Sequence, residues 1–208
     1  ESDISRAHAD FVANASHELR TPLSSIIGYV ETLSEHPEDI DEATARKFLE
    51  TIHREARRLQ NLVSDLMSLS RVEAEKHDRP DSPVDLNALV ERAAREGAGS
   101  ERAERVVYEA DGQFEVLGDP QQLEQLVRNL VDNALKYGRA GTPVTVRLSE
   151  STLGEAKIEV EDRGEGIEPE HLPHLTRRFY RTDPGRSRMS GGTGLGLAIV
   201  KHIAQVCA

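Results

Sequence analysis

Along the first third of the chain, apolar residues recur at spacings of three and four, the period of a helix with one buried side. Ile4, Ala7, Phe11, Ala15, Leu19, Ile26, Val30 and Leu33 make the first such stripe and predict a helix from about Ile4 to Ser34. The run EHPEDID, with Pro37 and a cluster of acids, breaks it. A second helix is expected from about Asp41 to Glu73, where Ala45, Leu49, Ile52, Ala56, Leu59, Val63 and Leu66 alternate spacings of four and three. That is a heptad seam, the pattern of bundle packing. Two helices about 45 Å long, at about 1.5 Å per residue, cannot bury two-sided seams against each other alone. The expected solution is a homodimer through an antiparallel hairpin, a four-helix bundle. A hairpin packed on the next domain is the alternative.

The polar text AEKHDRPDSP then marks a boundary. Residues 1–74 read as a helical domain, 75–83 as a linker and 84–208 as a second domain of mixed pattern. In that second domain Leu86 to Arg95 is a short amphipathic helix ended by GAGSE. Val106–Glu109 and Phe114–Leu117 read as strands of a hairpin turning at Asp111–Gly112. Asp119-Pro120-Gln121-Gln122 opens a helix to about Tyr137, with Asp as cap and Pro in the first turn. Val144–Leu148 and Lys157–Glu161 alternate as strands around Gly154, and a last helix starts near Leu197.

Composition narrows the function classes. A net charge of −11 argues against nucleic acid or an anionic membrane as partner. The single cysteine, Cys207, excludes an internal disulfide and fits a reducing compartment. No apolar run reaches membrane length. The chain opens at Glu1 and is helix-like almost at once, which reads as a piece of something longer. A membrane anchor is then expected only in a missing N-terminal part.

Candidate chemistry begins at His17, which falls almost opposite the apolar stripe beside Asp10, Arg20, Thr21 and Ser24. A neutral imidazole is a nucleophile through one nitrogen, and a carboxylate accepting its other N–H fixes the tautomer and raises that nucleophilicity. Glu18 is the adjacent carboxylate, and Pro22, one turn on, predicts a kink. A solvated surface histidine is the plainer alternative. A zinc motif fails, because Thr21 stands where HExxH needs histidine.

Asn129 and Asn133 share a face of the helix ending at Tyr137, although asparagine is a poor mid-helix residue. An amide oxygen suits the Mg²⁺ shell, and Lys136 is placed to meet a phosphate; solvent-facing polar residues are the alternative. DRGEGI, residues 162–167, follows a strand directly, where glycines let the backbone approach a flat ligand or merely make a turn. GGTGLGL, residues 191–197, leads into a helix and fits neither the Rossmann nor the Walker spacing. Between them Arg177, Arg178, Arg181, Arg186 and Arg188 suggest a phosphate partner or a solvated basic loop.

In order, SHELRTPL, NLVDNALKYG, DRGEGI, RRFYR and GGTGLGLAIV resemble the H, N, first glycine, F and second glycine boxes of sensor histidine kinases of two-component systems. The resemblance covers nearly the whole chain. It implies an α+β protein: a dimerising phosphotransfer hairpin, then a Bergerat-type (GHKL) α/β sandwich that binds ATP and Mg²⁺. It also implies that His17 is the phosphoacceptor, Glu18 the carboxylate that activates it, and Thr21 the residue that positions a water for dephosphorylating a response regulator receiver domain. Asn133 would be the Mg²⁺ ligand supported by Asn129. Lys136 and Arg181 would meet phosphates, Tyr137 would flank the nucleotide, and Asp162 would read the adenine amine beside Gly164 and Gly166. Ile167, Tyr180, Gly192, Thr193, Gly194, Leu195, Gly196 and Leu197 would complete the nucleotide contacts, with residues 177–192 as a mobile lid.

FVANASHELRTPL is closest to the phosphate-regulon type, and the implied setting is the cytoplasmic part of an inner-membrane-anchored bacterial sensor. A Bergerat-fold ATPase and a non-catalytic dimeric nucleotide-binding scaffold are the alternatives. Two departures stand out. Arg177 occupies a position commonly acidic in the family, and the chain stops at KHIAQVCA, where the sandwich is expected to continue by another strand or two.

Overall fold

A computed structural model describes residues 2–35, 37–75, 80, 82–100, 102–183 and 191–207. It divides into two compact units, Glu1–Ser68 with Arg178–Leu195, and Leu69–Arg177 with Gly196–Ala208. The units therefore do not lie on either side of a single cut.

The first unit is built on helix α1 (Ser2–Glu35) and on helix α2 (Glu42–Glu75) as far as Ser68; the last turns of α2 belong to the second unit. Asp41 caps α2: Thr44 N donates to Asp41 Oδ1 at 2.8 Å and Thr44 Oγ1 to Oδ2 at 2.9 Å. Two cross-pairs set the hairpin register, Arg58 with Glu18 at 3.0 Å and the rings of Tyr29 and Phe48 at 4.9 Å. As the α1 partner moves on by eleven residues the α2 partner moves back by ten, as antiparallel helices require. Pro22 is buried, and α1 runs on through it although the Glu18 carbonyl loses its helical donor there. Within this unit the most deeply buried α2 side chains are Arg58 and Leu62. They lie on a different stripe from the expected seam, whose Leu49 and Val63 are exposed.

Residues 178–183 and 191–195 belong to this unit. Phe179 stacks on Phe11 with centroids 5.9 Å apart, and the Arg178 guanidinium lies 4.8 Å over the same Phe11 ring. Phe179 N donates to Gly194 O at 2.8 Å, and the two stretches press together so closely that a Cβ on Gly194 would sit 2.9 Å from the Phe179 backbone. Gly194 has φ +76°, so glycine answers two demands there. Residues 184–190 of the expected lid, with Arg186 and Arg188, lie outside the described residues.

The second unit carries β1 (Pro83–Asp85), α3 (Leu86–Ala98), β2 (Val106–Ala110), β3 (Glu115–Leu117), α4 (Pro120–Tyr137), β4 (Val144–Glu150), β5 (Ala156–Glu161) and α5 (Gly196–Val206). A mixed sheet runs β2-β4-β5, with β2 parallel to β4 and β5 antiparallel to it. One face is buried, as Val144, Val146 and Leu148 alternate with partly exposed residues along β4. Helix α4 packs on α3, α5, β4 and β5 and supplies the centre of the core with Leu126, Val127 and Val131. Its start is the expected one: Asp119 Oδ1 accepts from Gln121 N at 2.7 Å, with Pro120 in the first turn.

One expectation needs correction. β2 and β3 do not form a hairpin; β2 pairs with β4, and β3 pairs antiparallel with β1, Val84 opposite Val116. Residues 111–114 instead carry the chain from one sheet to the other, held by Asn87 of α3, whose amide donates to Gly112 O and accepts from Phe114 N, both at 2.8 Å. In the expected linker 75–83, Glu75 ends α2 and Pro83 opens β1, while residues 76–79 and 81 lie outside the described residues.

Candidate functional site

His17 lies on the exposed side of α1. A neighbour one residue along a helix is rotated by about 100° and does not face it, so Glu18 points elsewhere. Glu18 Oε2 accepts from Arg58 Nη2 and from Arg181 Nη2, both at 3.0 Å. Arg58 and Arg181 have side chains only 5% and 6% exposed. The carboxylate expected to serve His17 is thus held between two buried guanidiniums. Arg181 Nη2 also faces Gly192 O at 3.1 Å and Thr193 O at 2.9 Å. Thr193 Oγ1 donates to Asp65 Oδ2 on α2 at 2.6 Å and accepts from Leu195 N at 3.2 Å. Thr21 is exposed, and its Oγ1 donates back to His17 O at 3.2 Å.

The second unit gathers the other candidates around the end of α4. Asn129, Asn133, Lys136 and Tyr137 follow one another at helical spacings, the first three half-buried and Tyr137 exposed. Asn129 Nδ2 donates to Gly196 O at 3.2 Å, tying α4 to the start of α5 beside Leu197. Lys136 pairs with Asp132 at 2.6 Å, one turn back. Gly138 forms an isolated bridge with Gly164, so the strand-end loop lies directly against the end of α4. A Cβ on Gly164 would meet Tyr137 O at 2.6 Å and Asp162 Oδ1 at 2.8 Å; only glycine leaves that approach open. Gly164 N donates to Asp162 Oδ1 at 2.7 Å, which orients an otherwise exposed carboxylate. Gly166 has φ +80° and carries the loop on to Ile167, whose side chain is exposed. Arg105 clamps the turn after α4, its Nε donating to Thr142 O at 2.9 Å and its Nη2 to Arg139 O at 3.1 Å.

The expected nucleotide residues thus divide between units. Tyr180, Arg181, Gly192, Thr193, Gly194 and Leu195 stand with the hairpin, and the remainder with α4. Sequence reasoning missed Arg58 and Asp65, the α2 anchors of Glu18 and Thr193. Their spacing of seven was the available signal, hidden because both are charged.

The end of α4 collects the kinds of group that a flat ligand carrying phosphates requires. Gly164 lies against Tyr137 beside the oriented Asp162 carboxylate, and Asn129, Asn133 and Lys136 stand along the last turns of the same helix. Among the described residues no group of three or more His, Cys, Asp or Glu side chains could hold a metal ion by itself. An amide oxygen completing a shell of phosphates and waters is how a protein holds Mg²⁺ without such a cage.

Comparison with known proteins gives concordant matches. The His Kinase A (phospho-acceptor) domain matches residues 7–75. The histidine kinase-, DNA gyrase B- and HSP90-like ATPase domain matches residues 118–207. The phosphate regulon sensor protein PhoR of Pseudomonas aeruginosa is 40% identical over 209 residues, covering 97% of this chain and 47% of that protein. The chain thus spans about half the length of that relative. The Acinetobacter baumannii histidine kinase AdeS superposes with a TM-score of 0.63 at 28% identity, over 91% of this chain and 86% of that one. The mycobacterial sensor histidine kinase MprB does so with a TM-score of 0.50 at 33% identity, over 59% and 77%. A phosphoacceptor hairpin followed by a GHKL-type α/β unit, matched in order and in structure, shows that the chain belongs to the sensor histidine kinase family.

Proposed function

We propose that the chain is the catalytic core of a protein-histidine kinase, which phosphorylates His17 from ATP and passes the group to an aspartate of a response regulator receiver domain. What most supports this is one pairing of features: an exposed His17 on a phosphoacceptor hairpin, in a chain whose α4 presents Asn129, Asn133 and Lys136 together. Bound Mg·ATP would supply the phosphoryl group and part of the charge neutralisation. Asn133, braced by Asn129, would give the cation an amide oxygen. Lys136 would exchange Asp132 for a phosphate, and Asp162 would accept from the adenine amine. His17 would attack in line through one ring nitrogen while Glu18 took the proton side of the other. Thr21 would hold a water for the reverse task, hydrolysis of the regulator's acyl phosphate.

The exposed apolar residues Val12, Leu23, Ile27, Val30, Leu49, Val63 and Met67 support a homodimer through the hairpin. Among the described residues no helix is long and apolar enough to cross a membrane. We place this core in the cytoplasm, attached to an anchored sensor segment and, by likeness to PhoR, of phosphate-regulon type. The test is incubation with γ-labelled ATP and Mg²⁺. A protein-bound label lost in acid and stable in alkali is expected; phosphate release without label would point to a Bergerat-fold ATPase instead.

A further inference from the structure

The end of α4 and the loop that carries Asp162 meet through glycines. Gly138 bridges to Gly164. A Cβ on Gly138 would lie 2.5 Å from Ala134 O and 3.3 Å from Asp162 Cβ, and one on Gly164 would lie 2.6 Å from Tyr137 O. Two glycines bring no side chains to pack, so polar bonds have to fasten the contact. The bond next to the bridge is a long one, Arg139 N donating to Arg163 O at 3.3 Å. Arg139 itself is fixed from another part of the chain. Its carbonyl accepts from Thr142 N at 3.2 Å, from Thr142 Oγ1 at 2.7 Å and from Arg105 Nη2 at 3.1 Å. Arg105 stands just before β2, and its Nε donates to Thr142 O at 2.9 Å. One planar edge of the guanidinium thus grips both ends of the turn 139–142. From Arg105 the bonds run through Arg139 to Arg163, the residue between Asp162 and Gly164, and Gly164 N orients the Asp162 carboxylate.

We propose that Arg105 is a positioning residue for purine selection. By gripping the turn after α4 it sets the Asp162 loop against the helix end, and with it the place where the carboxylate meets the base. Arg105 touches no ligand in this role. The proposal rests on the reading of Asp162 as acceptor for the adenine amine and extends it to a residue outside every motif. Adenine offers an amine donor on the edge where guanine offers a carbonyl acceptor. A carboxylate held in place rewards the first and repels the second, whereas one free to shift gives way to either. Losing the grip therefore costs adenine preference more than it costs binding of the phosphates.

Titrate the whole chain with Mg·ADP and with Mg·GDP by calorimetry and take the ratio of the two affinities. Wild type should prefer ADP. Arg105→Ala should lower that ratio about tenfold, the scale of one hydrogen bond to a charged group, chiefly by weakening ADP. Thr142→Val deletes the neutral side-chain bond onto the same carbonyl and should lower the ratio about threefold; it is the milder variant should Arg105→Ala not fold. Asn87→Ala removes a side-chain clamp of the same kind at the other end of β2, on Gly112 and Phe114. It should lower the melting temperature and leave the ratio alone. An unchanged ratio in whichever of Arg105→Ala and Thr142→Val folds would overturn the proposal. So would an equal fall in Asn87→Ala, which would make the effect one of general looseness. Failure of the underlying reading looks different, because wild type would then bind neither nucleotide or bind both alike, and the proposal would fall with it.

Discussion

In the α/β unit the apolar pattern is used up within the chain. Val90, Val127, Val131, Val144, Val146, Leu148, Ile199 and Ile203 have no exposed surface. In the hairpin unit the same kinds of residue stay in view, with Leu49 57% and Met67 65% exposed. Both patterns are periodic, so periodicity alone does not say what will be covered. A sheet with helices on one face closes a core from a single chain. A pair of helices has two sides to each seam and closes only one. In the hairpin unit's part of α2 the closed side runs through Arg58, Leu62 and Asp65 and mixes charges with an apolar residue. The open side carries the purely apolar heptads. The inner contacts suit pairing that can be rearranged, and the outer ones suit a permanent partner.

The contrast can be broken most forcibly in the core. Leu148→Ala deletes a fully buried side chain from β4 and should cost about 2–5 kcal/mol of the α/β unit's stability. A denaturant melt followed through that unit checks it; a loss under about 1 kcal/mol, the range of surface changes, would mean the core is looser than its burial indicates. On the hairpin, Ile27→Glu places a charge on an exposed apolar position and should leave the monomer fold intact. If that face is the dimer seam, the dimer should weaken tenfold or more, the equivalent of about 1.4 kcal/mol. Light scattering over a dilution series reads this directly, and a dimer indifferent to the change would move the interface elsewhere.

The smallest effect concerns the start of α2. Hydrogen bonds from Thr44, the backbone one first, hold the Asp41 carboxyl below its usual range. A depressed folded value means the stabilisation is present above the unfolded value of about 3.9 and is lost as pH falls through the folded one. Asp41→Asn should lower the melting temperature slightly at neutral pH. In acid, once the wild-type carboxyl is protonated as well, the two should melt together.

Much of this was legible in the sequence. Both long helices, the Asp119 cap, α4, the β4–β5 pair around Gly154 and the start of α5 follow from local period and local capping, and they fall where expected. What failed depends on partners distant in sequence. Asp111–Gly112 carries a good hairpin signal, but β2 finds β4 and β3 finds β1, pairings no local pattern encodes. β1 is three residues long and begins with proline, so it reads as linker. The second stripe of α2 was missed because counting apolar residues skips Arg58 and Asp65. The segment after Arg177 shows the same limit. RRFYR is readable as a motif, but that Phe179 would lie on Phe11 and Arg181 on Glu18 is a tertiary fact.

The central claim is that one exposed imidazole on the hairpin receives the phosphoryl group from a nucleotide held at the end of α4. The most direct measurement exposes wild type, His17→Gln and Asn133→Ala to γ-labelled ATP and Mg²⁺ at matched concentration and counts acid-labile label per chain. Label on wild type alone is the predicted result, with His17→Gln still binding nucleotide and Asn133→Ala failing to bind it. Undiminished label on His17→Gln would contradict the account, because the acceptor would then lie elsewhere.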